Sequence, residues 1–451
     1  MRRNHSWIGG IGILALLTLL PVISSGAPSA NKGSKAEAAK EKVIYSFQGG
    51  ADGANPMSDL VLDSTGNLYG TTSAGGTGVC NNINNNGCGT VFELKPSSGG
   101  WHEQVLYNFK GGSDGQFPQA GVIFDSSGNL YGTTTSGGSN NLGTVFKLAP
   151  NGKGGWTESI LYSFVAGTNP ASDLVFDANG NLYGTTRLGG VNGCGTLGGG
   201  CGTVFELIKQ SNGSWAESTL YQFAGPPGDG ALPSSGLALD SVGNLYGMTL
   251  SGGSNHCFLG GYPGCGIVYK LTSDGKGNWT ETVLFNFARG NGFAVSPSAG
   301  LLVDEDGDHL LGTTLEGGDG FGTIFALNES NKTMWRQEVL HRFYEDPDGM
   351  YPVGQLARDS QHNLFGVTSN GGTANSGRGN GMVFELHPRT GPWKEAILYD
   401  FAGGTDGWSP QAGVVIDSLG HLFGTTQWGG KGTACNEGSS YNCGTVYEIT
   451  P

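Results

Sequence analysis

The sequence has few charged residues, no helical period and none of the common catalytic motifs. Asp, Glu, Lys and Arg make up only 13% of its 451 residues. No stretch spaces its apolar residues at the 3.6-residue period of an amphipathic helix, which excludes a helical bundle. The patterns GxSxG and HExxH, the P-loop and the dinucleotide fingerprint are missing, so no familiar hydrolase, metalloprotease or nucleotide-binding class is indicated.

Long hydrophobic runs are confined to the first residues. Two arginines precede an apolar run from Trp7 to Leu20, and small residues follow at Ser25–Ala27. This layout is typical of a secretory signal peptide, and the run is short for a membrane span. We predict a signal peptide at residues 1–27, a polar linker at 28–40 and no membrane span after cleavage. Retention of the first segment as an anchor is the alternative.

Positive charge is also scarce. The formal net charge is −14 at pH 7, from 23 Lys and Arg against 37 Asp and Glu. An acidic surface repels phosphate backbones, so nucleic acid is not an expected partner. Together with the leader-like N-terminus, this favours a secreted, periplasmic or cell-surface protein.

Glycine, in contrast, is abundant, with 84 copies that recur in register with aromatic residues. The stretch GNLYGTT at Gly66–Thr72 occurs verbatim again at Gly128–Thr134 and Gly180–Thr186, and four related copies follow. Aligned on the second glycine of this stretch, the seven copies lie 52 to 65 residues apart, at Gly70, Gly132, Gly184, Gly247, Gly312, Gly366 and Gly424. Periods of this length, filled with strand-like segments, indicate a propeller or another repeat array.

Each repeat contains four strand candidates, of the types DLVLD, NLYGTT, GTVFEL and WHEQVLYNF. The first three types occur seven times, but only six copies of the fourth lie between repeats. The seventh copy, Glu41–Phe47, stands ahead of the first repeat. Only a closed ring lets that segment complete the last sheet. We therefore predict an all-β fold: a seven-bladed β-propeller of four-stranded antiparallel blades at 41–451, closed by the N-terminal strand. An open β-solenoid is the rival.

The residues around GNLYGTT are predicted to be structural. The Asp that precedes each copy, such as Asp63, is typical of a turn in which its side chain caps backbone N–H groups. His309, His362 and His421 fall in the same turns and are interpreted as polar turn residues. The stretch DEDGDH (Asp304–His309) is a weak calcium candidate, because one short loop rarely supplies the six or more oxygens required. No other cofactor is expected.

The eight cysteines form a regular pattern. They occur in pairs within the loop between the second and third strands of repeats one, three, four and seven, as Cys80/Cys88, Cys194/Cys201, Cys257/Cys265 and Cys435/Cys443. In an exported protein this predicts four local disulfides. A metal site is a poor interpretation, because the pairs lack metal-ligand spacing and histidine partners.

The repeat unit DxxGNLYGTT…GG…GTVFxLxP…LYxF…DGxxP resembles the Gloeo/Verruco (GloVer) tandem repeat of bacterial exported proteins. The resemblance covers Lys42–Pro451. Members of that family often carry a C-terminal sorting anchor, and this chain shows none, which favours release or retention through the N-terminus. The resemblance implies no activity and transfers no catalytic residue.

Candidate functional residues are those that depart from the repeat. Six of the nine tryptophans open fourth strands and one lies in the leader, which leaves Trp408 and Trp428 in loops of the seventh blade. Indole rings stack well on sugars or partner side chains. Packing against the Cys435–Cys443 loop is the alternative. Tyr351 and Arg187 also depart from their columns, and we predict that they bind ligand on the same face.

Carboxylates and an amide replace glycine at the start of three first strands. Gly121, Gly236, Gly300 and Gly413 occupy this position in four repeats, and Asp59, Asp173 and Gln355 replace it in the others. We predict that these side chains line the tunnel mouth, with Gln355 among the ligand-binding residues. Asp59, Asp173 and Glu316 are candidate catalytic acids and bases, and solvated surface carboxylates are the alternative.

The leading functional hypothesis is an exported, monomeric binding protein that recognises a glycan or an extracellular protein on the disulfide-stapled face, without catalysis. The second is an extracellular polysaccharide hydrolase or lyase that uses the three carboxylates. The third is a structural cell-envelope protein that has no ligand.

Overall fold

In the computed structural model, the chain from residue 40 onwards consists of short strands joined by tight turns. The structure describes residues 39–451 except 81–86, 166–168, 171, 191–193, 195–198, 234, 260–261, 290–293, 305, 318–319, 331–333, 345–346, 374–378, 390–391 and 436–441. The predicted signal peptide and all but the last residues of the predicted linker lie outside the described residues. Within the described part, no helix is long and apolar enough to cross a membrane.

Seven antiparallel sheets follow one another along the chain. Each sheet forms one blade, and its strands are ordered from the innermost, at the axis of the ring, to the outermost, at the rim. Blade 1 contains β2 (Val61–Leu62), β3 (Leu68–Thr72), β4 (Thr90–Ser97) and β5 (Gly100–Asn108); blade 2 contains β6 (Ile123–Phe124), β7 (Leu130–Thr134), β8 (Thr144–Pro150) and β9 (Trp156–Ser163); blade 3 contains β10 (Val175–Phe176), β11 (Leu182–Thr186), β12 (Thr203–Lys209) and β13 (Trp215–Gln222).

Blades 4 and 5 each add a short strand before the innermost one. Blade 4 contains β14 (Gly230–Pro233), β15 (Ala238–Leu239), β16 (Leu245–Gly252), β19 (Ile267–Ser273) and β20 (Trp279–Asn286), with a small hairpin of β17 (Phe258–Leu259) and β18 (Tyr262–Pro263) beside it. Blade 5 contains β21 (Ala294–Pro297), β22 (Leu302–Val303), β23 (His309–Gly317), β24 (Thr323–Ser330) and β25 (Met334–Arg342).

Blade 6 has four strands: β26 (Met350–Arg358), β27 (Leu364–Asn370), β28 (Met382–His387) and β29 (Lys394–Asp400).

Blade 7 is assembled from both ends of the folded chain. It contains β30 (Val415–Ile416), β31 (Leu422–Thr426) and β32 (Thr445–Thr450), and β1 (Lys40–Ser46) is its outermost strand. The pairing of β1 with β32 is antiparallel, with a register shift between Val43 and Tyr45. The outer strand pairs of the other blades have the same irregularity, for example between Val91 and Phe92 in blade 1. The N-terminal strand is therefore the fourth strand of blade 7. The predicted seven-bladed ring and its closure are confirmed.

The repeated Leu-Tyr-Gly triplet joins neighbouring blades. Leu68 packs toward blade 7 in one hydrophobic cluster, whereas Tyr69 packs toward blade 2 in another. A Cβ on Gly70 would lie 2.8 Å from Phe92, so only glycine lets the third-strand aromatic ring lie flat over the second strand. The same glycine–aromatic contact recurs in all seven blades. The triplet is therefore a packing device, as predicted.

A second device links the blades through their backbones. The residue before the proline of each connecting turn is not glycine, yet it has a φ between 55° and 59°: Asn55, Phe117, Asn169, Leu232, Ser296, Tyr351 and Ser409. At six of these positions the N–H donates to a carbonyl of the preceding blade, as from Tyr351 to Phe321 at 2.8 Å. These hydrogen bonds offset the cost of a left-handed conformation, about 1–2 kcal/mol per residue.

The first strands are shorter than the sequence indicates. Asp59–Asp63 is predicted as a strand, but only Val61–Leu62 pairs with β3. The residues before it instead turn toward the tunnel and the neighbouring blade, where Asp59 accepts a hydrogen bond from the backbone N–H of Gly413. The innermost strands therefore contribute more to the tunnel wall than to the sheets.

The turns and the disulfides agree with the sequence. Asp63 Oδ1 accepts hydrogen bonds from the backbone N–H groups of Thr65 and Asn67, at 2.8 and 3.0 Å. All eight cysteines pair as predicted: Cys80–Cys88, Cys194–Cys201, Cys257–Cys265 and Cys435–Cys443. Adjacent blades 5 and 6 carry no cysteine at all.

Candidate binding site at the tunnel mouth

The disulfide loops and the connecting turns share one face of the ring. A Cβ on Gly111, in the turn that leads into blade 2, would lie 2.5 Å from Cys80 Sγ, and Gly225 has the same relation to Cys194. The disulfides of blades 1, 3 and 7 therefore pack against the turn that follows their own blade. The stapled loops and the connecting turns therefore lie at the same end of the central tunnel.

A cavity of about 500 Å³ opens at this end of the tunnel. It brings together three predicted site residues from three blades, namely Arg187, Glu316 and Tyr351. The rest of its wall is formed by Met57, Gln119, Asn169, Ser172, Pro233, Ser298, Leu315, Val353, Gly354, Ser369 and Gln411. Blades 3 to 6 supply most of this wall, so the cavity is not symmetrical about the ring axis.

The repeat scaffold places the three side chains. Arg187 directly follows β11, and its backbone N–H donates to the carbonyl of Asn169 at 3.1 Å. Glu316 is paired through its backbone with Val295 near the end of β23. Tyr351 occupies the left-handed position before a proline and is half-buried. Each side chain therefore projects from a rigid backbone position that the other blades also possess.

The cavity carries one charge of each sign. Among the described residues, neither the guanidinium of Arg187 nor the carboxylate of Glu316 takes part in an ion pair, and Arg187 is exposed. Gln119, Asn169 and Gln411 add amide groups that can donate and accept hydrogen bonds. A wall of this composition suits a polar ligand with hydroxyl groups. Its size lies within the usual range of small-molecule sites, roughly 300–1,000 Å³.

Below the cavity the tunnel narrows to a space of about 120 Å³, lined by Asp59, Asp173 and Gln355. Asp173 Oδ1 accepts a hydrogen bond from the N–H of Gly121 at 2.6 Å, and Gln355 Nε2 donates to the carbonyl of Leu301 at 2.9 Å. Each of these side chains thus covers the glycine-bearing strand of the preceding blade. The alternation of glycine with larger polar residues lets neighbouring blades approach at the axis and partly close the tunnel.

Asp59 and Asp173 line the same constriction, close enough for the charge of one to act on the other. Burial, and then the negative charge of Asp173, raise the pKa of Asp59 to about 7. Burial also raises the pKa of Asp173. Ionisation of both carboxyls in a site of low polarity is unfavourable, and a proton on one of them relieves their repulsion. Glu316 lines the wider cavity above, so the structure separates it from this pair.

Trp408 and Trp428 lie on the same face but outside the wall of the cavity. Their backbones pair across the connecting turn, with N–H to carbonyl distances of 3.0 and 3.2 Å. Their rings are stacked on each other, with centroids 6.1 Å apart and planes at 29°. Both side chains are half-buried. The pair therefore forms a separate aromatic platform on blade 7.

Several wall residues were missed by sequence reasoning. Met57, Gln119 and Gln411 each follow the proline of a connecting turn, two residues before the tunnel position. This column varies strongly among the repeats, and that variation was the available signal. Asn169 was missed because its left-handed backbone position could not be recognised from sequence.

The predicted turn histidines occupy turn or strand-end positions. His362 takes the place of a turn glycine with a φ of 66°, and His421 Nδ1 lies 2.9 Å from Asp417 Oδ2. In the calcium candidate, Asp304 forms an ion pair with Arg358 at 2.9 Å, and Glu305 lies outside the described residues. Calcium binding there stays a prediction.

Comparisons with known proteins identify the repeat. A family model described as the Gloeobacter/Verrucomicrobia repeat matches residues 33–259 and 198–435. No curated protein matches the chain. Among solved structures, a gluconolactonase from Xanthomonas campestris is similar over 72% of this chain and 82% of its own, with 12% identity and a TM-score of 0.39.

Proposed function

The chain belongs to the Gloeobacter/Verrucomicrobia repeat family, and we propose that it is an exported binding protein that holds a polar, saccharide-sized group in the tunnel-mouth cavity. One observation carries the proposal. Arg187, Glu316 and Tyr351, which occupy positions that vary from blade to blade, meet in one cavity of about 500 Å³. A glycan end or a polar protein segment is the proposed ligand.

Export is part of the proposal. Four disulfides persist in oxidising compartments, and the first residues have the pattern of a secretory leader. The tryptophan pair Trp408 and Trp428 is proposed as a second contact for a ligand longer than the cavity. Stacked indoles offer a flat surface to a further sugar ring.

The test uses substitutions that the repeat itself contains. In the position of Arg187, blades 4 and 5 have Leu250 and Leu315; in that of Glu316, blade 4 has Ser251. The double variant Arg187→Leu, Glu316→Ser should therefore fold. We expect it to bind at least tenfold more weakly to any oligosaccharide that the wild type binds, because each lost polar contact to the ligand contributes about 1 kcal/mol or more. An oligosaccharide array followed by calorimetry measures this effect.

A matched variant tests the aromatic platform. Blade 1 has Ala54 and Ala74 where blade 7 has the two tryptophans, so Trp408→Ala, Trp428→Ala restores a natural pairing. A smaller loss than in the cavity variant supports the proposed order of the two contacts. Loss of binding in the tryptophan variant alone would move the site to blade 7. Absence of any binder in the panel would reject the proposal and leave a structural envelope protein.

A second candidate function, glycan hydrolysis, is favoured by the raised pKa of Asp59 beside Asp173 in the constriction of the tunnel. A carboxyl pair in which one member stays protonated near neutral pH can act as acid and base. Product release from the same oligosaccharide panel, abolished by Asp173→Asn, is the outcome that would establish it. Turnover that persists in this variant, or no turnover at all, would exclude catalysis by this pair.

A further inference from the structure

A repeated triad joins the outer strands of neighbouring blades at the rim of the ring. A tyrosine comes from the last strand of one blade, an aspartate from the connecting turn and a glutamate from the last strand of the next blade. Four junctions carry the complete set: Tyr45/Asp52/Glu103, Tyr107/Asp114/Glu158, Tyr221/Asp229/Glu281 and Tyr399/Asp406/Glu41. In each, the phenol donates a hydrogen bond to the aspartate, at distances of 2.6 to 3.0 Å.

The junction between blades 5 and 6 departs from this triad at one position. His341 stands where the other blades have tyrosine, while Asp348 and Glu395 keep their places. The ring of His341 packs on the edge of Phe343, with centroids 4.7 Å apart, as the tyrosine rings do on the equivalent phenylalanines. The substitution thus replaces a phenol with an imidazole and leaves its setting unchanged.

The three side chains converge on one point. His341 Nε2 lies 3.3 Å from Asp348 Oδ2 and 3.8 Å from Glu395 Oε1, and one ligand atom from each residue lies within 4.8 Å of the other two. The side chains are only 15%, 20% and 12% exposed. His341 Nε2 and Glu395 Oε1 are shielded from water and make no well-aligned hydrogen bond with a described residue. The glutamate oxygen is equally unpaired in the four tyrosine triads, so the new feature is the imidazole nitrogen.

We propose that His341, Asp348 and Glu395 bind a divalent transition-metal ion of the zinc type. A tetrahedral zinc ion with ligands about 2.1 Å away separates neighbouring ligand atoms by about 3.4 Å, close to the spacing found between the histidine and the two carboxylates. One imidazole nitrogen and two carboxylate oxygens match the ligand preference of zinc and of its first-row neighbours. Water would complete the coordination.

The tyrosine triads cannot bind the ion in this way. A phenol keeps its proton at neutral pH and presents a donor to the centre of the triad, whereas a neutral imidazole presents a lone pair. The carboxylates of Asp348 and Glu395 face each other in this cluster, and a bound cation would remove their mutual repulsion. The ion would join the two adjacent blades that have no disulfide, so its role would be to fix their shared rim.

The first experiment restores the repeat. The full chain is stripped with a chelator, dialysed and titrated with Zn²⁺ by calorimetry, and with Co²⁺ by visible absorption. We expect one equivalent to bind the wild type and at least a hundredfold weaker binding to His341→Tyr. This variant recreates the triad of four other junctions and should fold, which its metal-free thermal midpoint checks. No binding to the wild type, or equal binding to both proteins, would overturn the proposal and leave His341 as a structural partner of the two carboxylates.

The second experiment builds the site elsewhere. Tyr399→His converts the junction between blades 6 and 7 into the same set of ligands, with Asp406 and Glu41. We expect a second equivalent of Zn²⁺. The control is His421→Asn, because asparagine occupies that position in five other blades and, among the described residues, His421 is the other histidine near two carboxylates. Unchanged binding in this variant supports the assignment, whereas loss of the first equivalent would place the ion at His421 and refute it.

Discussion

The packing layers that lie between neighbouring blades are built from constant residues, whereas the mouth of the tunnel is built from variable ones. Between the blades, every repeat has leucine and glycine at fixed positions of the second strand and an aromatic ring from the third strand over that glycine, and these residues are buried. At the mouth, the position of Arg187 carries a different residue from blade to blade: arginine, leucine, serine, threonine or glutamine. The repeated layers can tolerate little variation because each glycine and aromatic ring fills the space left by the other. The mouth is free to vary, and its variation creates one asymmetric cavity.

The largest expected effect on stability comes from removing a buried aromatic side chain from a packing layer between two blades. Phe92 is fully buried and lies over Gly70, with its ring 5.2 Å from that of Phe47 of the closing strand. Phe92→Ala should lower the free energy of unfolding by about 3–5 kcal/mol, because it opens a cavity between blades 1 and 7. Urea unfolding measures this loss. A loss below about 1 kcal/mol would show that the layers are not tightly packed.

A smaller effect is expected from pH, through the glutamates of the rim. Burial, and then repulsion by Asp52, raise the pKa of Glu103 to about 7 from its ordinary 4.5. Glu41, Glu158 and Glu281 are raised to about 7 as well. The folded protein therefore binds more protons than the unfolded chain between about pH 4.5 and 7, and its stability should fall as pH rises through that range.

The variant Glu103→Gln tests this assignment. Gln337 occupies the equivalent position in blade 5, so the amide fits the junction. We expect the wild type to lose more stability than the variant between pH 5 and pH 8, as measured by urea unfolding at each pH. The turn aspartates Asp63, Asp125 and Asp240 have lowered pKa values, so they affect stability only below about pH 4 and do not mask the result. Parallel pH profiles would refute the raised pKa.

The smallest expected effect is at the mouth. Arg187→Leu should change the free energy of unfolding by less than about 0.5 kcal/mol, because the side chain is exposed and leucine occupies the same column in blades 4 and 5. Urea unfolding beside Phe92→Ala gives the comparison directly. A loss of 2 kcal/mol or more would mean that the mouth, too, is part of the stabilising framework.

The sequence was a good guide wherever a feature repeats. The number of blades, the closing strand and the disulfide loops follow from counting positions along the chain. The register shift that β1 shares with β5 shows that β1 is equivalent to the outermost strand of the other blades. It was a poorer guide to length, because the first strands are cut short by contacts across the tunnel. It also grouped Glu316 with Asp59 and Asp173, although the cavity wall and the constriction are at different depths.

By itself, the sequence determined the ring. Seven copies of one local pattern and one displaced strand are compatible only with a closed propeller. Glycine, turn aspartate and alternating apolar residues can specify these elements because each acts on the conformation of the few residues next to it. Only the tertiary structure decided which departures from the pattern meet. Arg187 and Glu316 are 129 positions apart yet share a cavity, whereas Trp408 and Trp428 face each other outside it. His341, Asp348 and Glu395 converge from two blades and a turn. Such meetings depend on the curvature that closes the ring, and no local pattern encodes it.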